Sequence, residues 1–346
     1  MSPMFSILLI PFLAAMFMAI NMGGSGTAPS FSAAYGSDII RKDLIPGIFG
    51  LFVFAGAILA GKKVVLTIGK GIIPADTMTF ALTTIILFAI AISLLAANLL
   101  GVPQSTSQST IFALMGPAVY FKILKTDKLF FEIIPTWFIT PIAAFVISLI
   151  IGLIIYRFPR ESVRITFQEL AHHRIFSFIV IAASCYVAFA IGSNNVANAA
   201  GPLTSMVLTE LDICASGDKF LIVMILTTLI IAPCFGIGSS LFGIRVTETT
   251  GKEIVTIGPL GATVISMVTA SLLLIASISK GIPTSLVQMN AAAIIGLGMS
   301  KEGAKKILLR TSLRKIFLLW IISPLLAFTL SLALTVIASY LGYVNL

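Results

Sequence analysis

The sequence predicts an all-α integral membrane fold of about ten to twelve helices, set out as two repeats that contain broken or re-entrant half-helices. Three observations carry that expectation. Of the 346 residues, 58% are hydrophobic and 10% charged, whereas a soluble domain is about a quarter charged. Apolar runs nearly free of charge, long enough to span a bilayer as helices, recur from one end of the chain to the other. A sparse pattern of glycine, proline, hydroxyl and amide residues occurs twice inside that apolar sequence, at a spacing of 281 − 101 = 180 positions.

The first apolar run begins at Met4 with no Lys or Arg ahead of it. It lacks a signal peptide's basic leading segment and is expected to stay as the first helix. Further runs cover 45–60, 79–100, 133–156, 175–191, 220–242, 257–278 and 316–341. Lys and Arg cluster between them: Arg41-Lys42, Lys62-Lys63, and the stretches 122–128, 157–174 and 301–315. Such clusters mark cytoplasmic loops. The last is the strongest, with Lys301, Lys305, Lys306, Arg310, Arg314 and Lys315 against Glu302 alone, and is expected in the cytoplasm. The net charge of +9 therefore reads as membrane topology and not as a nucleic-acid surface. Cys185, Cys214 and Cys234 have neither metal spacing nor an even disulfide count, which leaves packing.

The duplication runs through both halves. Gly101, Pro103, Ser105, Gln108 and Gly116 match Gly281, Pro283, Ser285, Gln288 and Gly296. Upstream, Gly61 and Gly69-Lys70 match Gly243 and Gly251-Lys252. Downstream, Trp137, Thr140-Pro141, Phe145 and Ser148 match Trp320, Ser323-Pro324, Phe328 and Ser331. The chain thus divides into a first membrane repeat, 1–156, a charged linker, 157–174, and a second membrane repeat, 175–346. The repeats are expected to insert with opposite topology, which requires an odd number of crossings in each.

Paired interruptions at corresponding places in two halves point to a transporter's binding site. Pro103 and Pro283 suit the first position of a helix, with a glycine two residues earlier to turn the chain. A short helix starting there would aim free N–H groups and its positive dipole end into the protein, which suits an anion. Ser105, Thr106, Ser107 and Gln108, with Thr284, Ser285 and Gln288, add neutral donors. The competing reading is a proline-kinked span whose hydroxyls bond back to their own helix. A second pair of interruptions is expected at 21–28 and 192–198, bringing Asn21, Ser25, Gly26 and Thr27 together with Ser193, Asn194, Asn195 and Asn198. The glycines there permit either close approach to a ligand or tight helix packing.

What is missing narrows the chemistry. All carboxylates fall in or beside connecting segments, so an intramembrane proton relay has no carrier. His172 and His173 lie in the basic linker. No zincin motif, nucleophile with a base, or Walker-type loop is present, so neither an enzyme nor a nucleotide-driven pump is expected.

At these four segments the chain resembles the inorganic phosphate transporter (PiT) family, and in particular its sulfate-permease branch. The family carries a Gly-Ala-Asn-Asp-type motif early in each repeat and a Pro-x-Ser-Thr-Thr-His-type motif later. Gly192-Ser193-Asn194-Asn195 follows the first motif with Asn195 in place of Asp, and Gly23-Gly24-Ser25-Gly26 follows it loosely with Gly26 there. Pro103 to Gln108 and Pro283 to Gln288 follow the second, with glutamine in place of histidine. The resemblance implies an ion-coupled secondary carrier of small tetrahedral anions, a multi-pass protein of the plasma (inner) membrane, often dimeric and surrounded by lipid.

The departures favour sulfate. Phosphate species carry a proton near neutral pH, with a second pKa of about 6, and a carboxylate can accept that proton's hydrogen bond. Sulfate offers none, so neutral donors and helix ends suit it better. The expectation is therefore sulfate uptake by alternating access. Ser25, Gly26, Thr27, Ser105, Thr106, Gln108, Asn194, Asn195, Ser285 and Gln288 would hold the anion. Asn21, Ser193 and Asn198 are candidates for a coupling cation, Na⁺ or H⁺, and no other cofactor or bound metal is expected. A sodium-coupled phosphate carrier and a passive anion channel are the alternatives.

Overall fold

In lipid every backbone polar group must find its partner inside the protein, so a uniformly apolar chain resolves into helices. The computed structural model describes residues 3–99, 104–156, 174–213, 217–243, 258–308 and 311–344, and among these the secondary structure is helical. We number the main helices α1 (Pro3–Gly36), α2 (Ile45–Ala60), α3 (Lys62–Lys70), α4 (Phe80–Leu99), α5 (Thr106–Tyr120), α6 (Ile134–Tyr156), α7 (Arg174–Asn195), α8 (Ala197–Glu210), α9 (Gly217–Gly238), α10 (Gly258–Ser279), α11 (Leu286–Glu302) and α12 (Thr311–Tyr340). Eight stretches among the described residues are long and apolar enough to cross a membrane by length and composition. The two short helices α5 and α11, with 15 and 17 residues, are not among them. Large apolar side chains such as Phe138 at 66% and Ile321 at 64% exposure form an outer surface suited to a membrane interior. The protein is a multi-pass membrane protein.

Helix directions follow from a few contacts. Lys125 N–H donates to Ile72 O at 2.8 Å, and Lys128 Nζ to Thr67 Oγ1 at 2.8 Å, so α5 ends and α6 begins beside α3. Thr209 Oγ1 donates to Ala75 O, and Lys63 Nζ to Ser279 O, which brings the ends of α8 and α10 to the same face. α6 leaves that face with α11 alongside: Gly296 lies against Phe145 and Leu149, and Gly152 against Leu297 and Ser300. α12 runs beside α5 toward the α3 face, where Ser331 Oγ donates to Ala113 O at 2.7 Å and Gly116 meets Ser331 and Leu332. α5 and α11 therefore head in opposite directions from starts that lie close together.

The contacts repeat when the halves are exchanged. α5 packs on α12 as α11 packs on α6, and α1 on α9 as α7 on α2. The last two pairs are close because of glycine: a Cβ on Gly23 or Gly238 would run into the Phe235 or Ile20 carbonyl, and one on Gly56 or Gly192 into the Phe189 or Val53 carbonyl. Small residues are what let membrane helices pack backbone to backbone.

Two expectations need correction. The segment 21–28 does not interrupt the first helix; α1 is continuous through it. Thr27 Oγ1 and Ser30 Oγ donate to the carbonyls of Gly23 and Gly26 four residues back, and Gly23 serves helix packing rather than a left-handed turn. The corresponding break in the second half shrinks to Val196, which itself has helical dihedrals. The proline segments do not begin helices at proline either. α5 and α11 begin at Thr106 and Leu286, three residues beyond Pro103 and Pro283, because Ser105 and Ser285 take the N-cap. The expectations placed on Gly101, Val102, Pro103, linker residues 157–173 with His172 and His173, Cys214, Gly251 and Lys252 lie outside the described residues.

Gly47, unlike Gly56, has open space where a Cβ would stand, with no atom within 4 Å. Gly56→Val should therefore lower the thermal unfolding temperature in detergent, by an overpacking penalty of about 1–3 kcal/mol. Gly47→Ala should leave it unchanged or raise it.

Candidate functional site

The site is built around the starts of α5 and α11. Ser105 (φ −85, ψ 104) and Ser285 (φ −99, ψ 102) are extended N-cap residues. Each accepts the backbone N–H of the residue three further on, Gln108 or Gln288, at 3.3 Å. Gly281, with φ +66, turns the chain into the second start, and a side chain there would strike Lys63. Trp137 Nε1 donates to Pro283 O at 2.9 Å and fixes the extended segment. The first-turn N–H groups of Thr106, Ser107, Leu286 and Val287 have no acceptor within their own helices.

Gln108 and Gln288 bind each other. Gln108 Nε2 donates to Gln288 Oε1 at 3.1 Å, and Gln288 Nε2 returns to Gln108 Oε1 at 2.9 Å. This closed amide pair, 8% and 7% exposed, joins the two helix starts. Each side chain keeps one further N–H for another acceptor.

Asn194 fastens the same two segments from α7. Its Nδ2 donates to Ser277 Oγ at 2.9 Å and Ile282 O at 3.0 Å. Its Oδ1 accepts Thr284 N–H at 3.1 Å and Ser107 Oγ–H at 3.4 Å. With full partners and no exposed surface, it acts as a pin. Asn198 Nδ2 reaches Thr106 Oγ1 and Ser107 Oγ at 3.4 and 3.3 Å. Ser193 Oγ donates to Ala190 O at 2.8 Å and lies 3.2 Å from Ser277 Oγ.

A small cavity lies between the helix starts, α1 and α7. Ser25, Gly26, Pro29, Gln104, Ser105, Thr106, Ile191, Asn195, Ser285, Leu286 and Val287 line it. It contains no carboxylate, and among the described residues no Asp, Glu, Lys or Arg is buried. Its volume is about 20 Å³, against about 10–15 Å³ for one water. A tetrahedral oxyanion can enter only if the walls part. Several buried polar atoms here lack a protein partner: Gln104 Nε2, Asn195 Oδ1, Asn198 Oδ1 and Thr284 Oγ1.

Of the residues predicted to hold an anion, Ser25, Gly26, Ser105, Thr106, Asn195 and Ser285 therefore share one cavity wall. Gln108, Gln288 and Asn194 lie behind it and brace it. Thr27 is fully buried, bonds back to Gly23 O, and faces Gly243 on the far side of α1. Asn21 sits a full turn away, where its O and Oδ1 accept from Asn98 Nδ2 at 3.3 and 3.1 Å, whereas Ser193 and Asn198 bond with Ser277, Thr106 and Ser107. Sequence reasoning missed Gln104, Asn98, Ser93, Ser277 and Ser323. For Asn98, Ser93, Ser277 and Ser323 the signal available was a lone polar residue in, or at the end of, an apolar run; Gln104, inside a polar segment, had none.

A model of the phosphate transporter family matches residues 22–331. The chain is 35% identical to the sulfate permease CysP of Bacillus subtilis (strain 168) over 323 residues, covering 92% of this chain and 84% of that protein. It is 26% identical over 409 residues to TK2061 of Thermococcus kodakarensis, provisionally named a phosphate permease, covering 97% and 98% of the two chains. A solved structure described as the sodium-dependent phosphate transporter has the same fold, with a TM-score of 0.81, 22% identity, and coverage of 97% and 99%.

The amide pair predicts a strong coupling. Gln108→Ala or Gln288→Ala leaves its buried partner unsatisfied and should each cost about 1–3 kcal/mol. The double variant should cost clearly less than the sum, as read by thermal unfolding in a double-mutant cycle. Additive losses would show that the two side chains do not act as a pair.

Proposed function

Because the chain belongs to the phosphate transporter family, we propose that it is a secondary carrier that takes up a small tetrahedral oxyanion, sulfate in preference to phosphate, by alternating access. The observation that carries this reading is the opposed pair of helix starts over a cavity without any charged side chain. Each helix start presents about half a positive charge and unpaired N–H groups. An anion with no proton to donate is the ligand such a lining fits. Phosphate, still partly protonated near pH 7, would turn an O–H toward donors and find no carboxylate to accept it.

Several features support the mechanism. The opposite headings of α5 and α11 fit two repeats, 1–156 and 175–346, inserted with opposite topology, which is the architecture of rocking carriers. The face at which α6 and α11 end carries Lys301, in the last turn of α11, and the exposed Lys305, so that face is proposed as cytoplasmic; the smaller clusters around Lys63 and Lys125 lie at the opposite face, beside α3. Ser25, Ser105, Thr106, Asn195 and Ser285, with the free first-turn N–H groups, would contact the anion. Gln108, Gln288 and Asn194 would position them.

Sodium-coupled phosphate import is the second reading. It is favoured by the neutral oxygen cluster of Asn21 and Asn98 near one end of α4, which offers a cation acceptor groups without fixed charge. The deciding measurement is uptake of labelled sulfate into proteoliposomes with and without excess phosphate, in Na⁺ or choline buffer. Sulfate uptake resisting phosphate is expected. Ser105→Ala with Ser285→Ala should reduce it by about tenfold or more without loss of folded protein, since each removes a cap and a donor. Phosphate displacing sulfate, with uptake lost in choline, would establish the second reading instead.

A further inference from the structure

Gln104 enters neither the helix caps nor the amide pair, yet it is the most conspicuously unsatisfied donor at the cavity. We propose that its amide is a specificity-determining donor to the transported oxyanion, aimed by a chain of serine hydroxyls. This rests on the carrier reading above. Gln104 is 2% exposed and lines the cavity, and its Nε2 has no acceptor in the protein. A buried donor without a partner is rare and calls for a specific cause; a ligand in the adjoining cavity supplies one.

The other end of the amide is anchored. Ser323 Oγ donates to Gln104 Oε1. Ser323 Oγ also lies 3.3 Å from Ser109 Oγ and 3.4 Å from Ser93 Oγ, and Ser93 Oγ reaches Ser323 O at 3.1 Å. With its own proton given to Gln104, Ser323 accepts from Ser109. The resulting chain, Ser109 to Ser323 to Gln104, polarises the amide and strengthens the N–H that it turns outward. Ser93, Ser109 and Ser323 are themselves buried. They come from α4, α5 and α12, so the amide is held from three sides.

The arrangement is private to the first half. At the repeat-related positions Gln104 becomes Thr284, Ser109 becomes Met289, Ser323 becomes Thr140, and the neighbourhood of Ser93 becomes 273–275, Leu-Leu-Ile. Thr140 Oγ1 bonds back to Thr136 O at 2.8 Å. Thr284 keeps a buried, unpartnered hydroxyl but has no hydroxyl chain behind it. The donor edge of Gln104 cannot titrate and cannot accept a proton. It rewards an oxyanion that shows lone pairs on every oxygen and opposes one that shows an O–H.

Labelled uptake into proteoliposomes tests this, with sulfate and phosphate assayed separately. Gln104→Leu should raise the KM for sulfate by about tenfold to a hundredfold and shrink the preference over phosphate. Gln104→Glu, nearly isosteric, should abolish sulfate uptake and invert the preference, most strongly at the lower pH where phosphate carries more protons. Ser323→Ala should raise the sulfate KM by a smaller factor, and Ser323→Thr should restore it. Thermal unfolding checks each variant for folding; should Gln104→Leu fail, the inversion in Gln104→Glu carries the test. Wild-type KM and preference in folded Gln104→Leu or Gln104→Glu would overturn the assignment, as would a loss confined to cation dependence. Wild-type vesicles that take up neither anion would overturn the carrier reading and this inference with it.

Discussion

Two helix N-termini meet inside an apolar interior, and most of the site exists to hold them there. Each start carries about half a unit of positive charge. Away from bulk water their mutual repulsion is weakly screened. Neutral hydrogen bonds must oppose it. Gln108 and Gln288 tie the first turns directly, and Asn194 ties the extended residues ahead of α11 to Ser107 of α5. Asn194 and the amide pair use dipoles rather than charges, so they restrain the helix ends without neutralising them. The positive potential is left for an anion to satisfy.

The same constraint shapes the motion a carrier needs. The cavity, at about 20 Å³, is too small for an oxyanion, so loading must separate the walls. The tight packings identify what moves together. Gly116 seats α5 on α12, while Gly152 and Gly296 seat α6 on α11. Each unit joins one helix from each half. If one unit rocks against the other, the joint between them is the amide pair, and its two hydrogen bonds are the local contacts that must stretch or exchange. Bonds of this kind are worth only about 0.5–1.5 kcal/mol net, small enough to yield to ligand binding.

The membrane fold and the paired spacing of the segments around Ser105 and Ser285 were legible in the sequence because each leaves a composition or spacing signal. The positions matched between the halves need no structure to be seen. The N-cap position was less legible: Pro103 and Ser105 are both good starts for a helix, and only geometry shows that serine won. The continuity of α1 was misread because Gly23 and Gly24 look alike whether they break a helix or let another helix approach. Gln104 was passed over because one amide in a polar segment carries no period. Its meaning comes from Ser93, Ser109 and Ser323, which reach it from three separate helices across sequence separations no pattern search links.

The absence of acidic groups at the cavity is also built into its packing. Gly26 stands where the family motif carries aspartate. A Cβ there would lie 3.2 Å from Phe49 Cζ and 3.6 Å from Ile191 Cδ1, so the wall is already filled by apolar side chains of α2 and α7. Phe49 is fully buried and meets Phe31 edge to face at 6.5 Å. A side chain at 26 would need Phe49 to give by a few tenths of an ångström, and a carboxylate there would face apolar surface that penalises its charge. Asn195 offers the opposite case: its amide is isosteric with aspartate and its Oδ1 has no partner, so a carboxylate would fit sterically. What opposes it is electrostatic, since its charge would neutralise the helix starts that an anion must find positive. The two missing carboxylates are thus disfavoured on different grounds, one by its apolar surroundings and one by the positive potential of the helix starts.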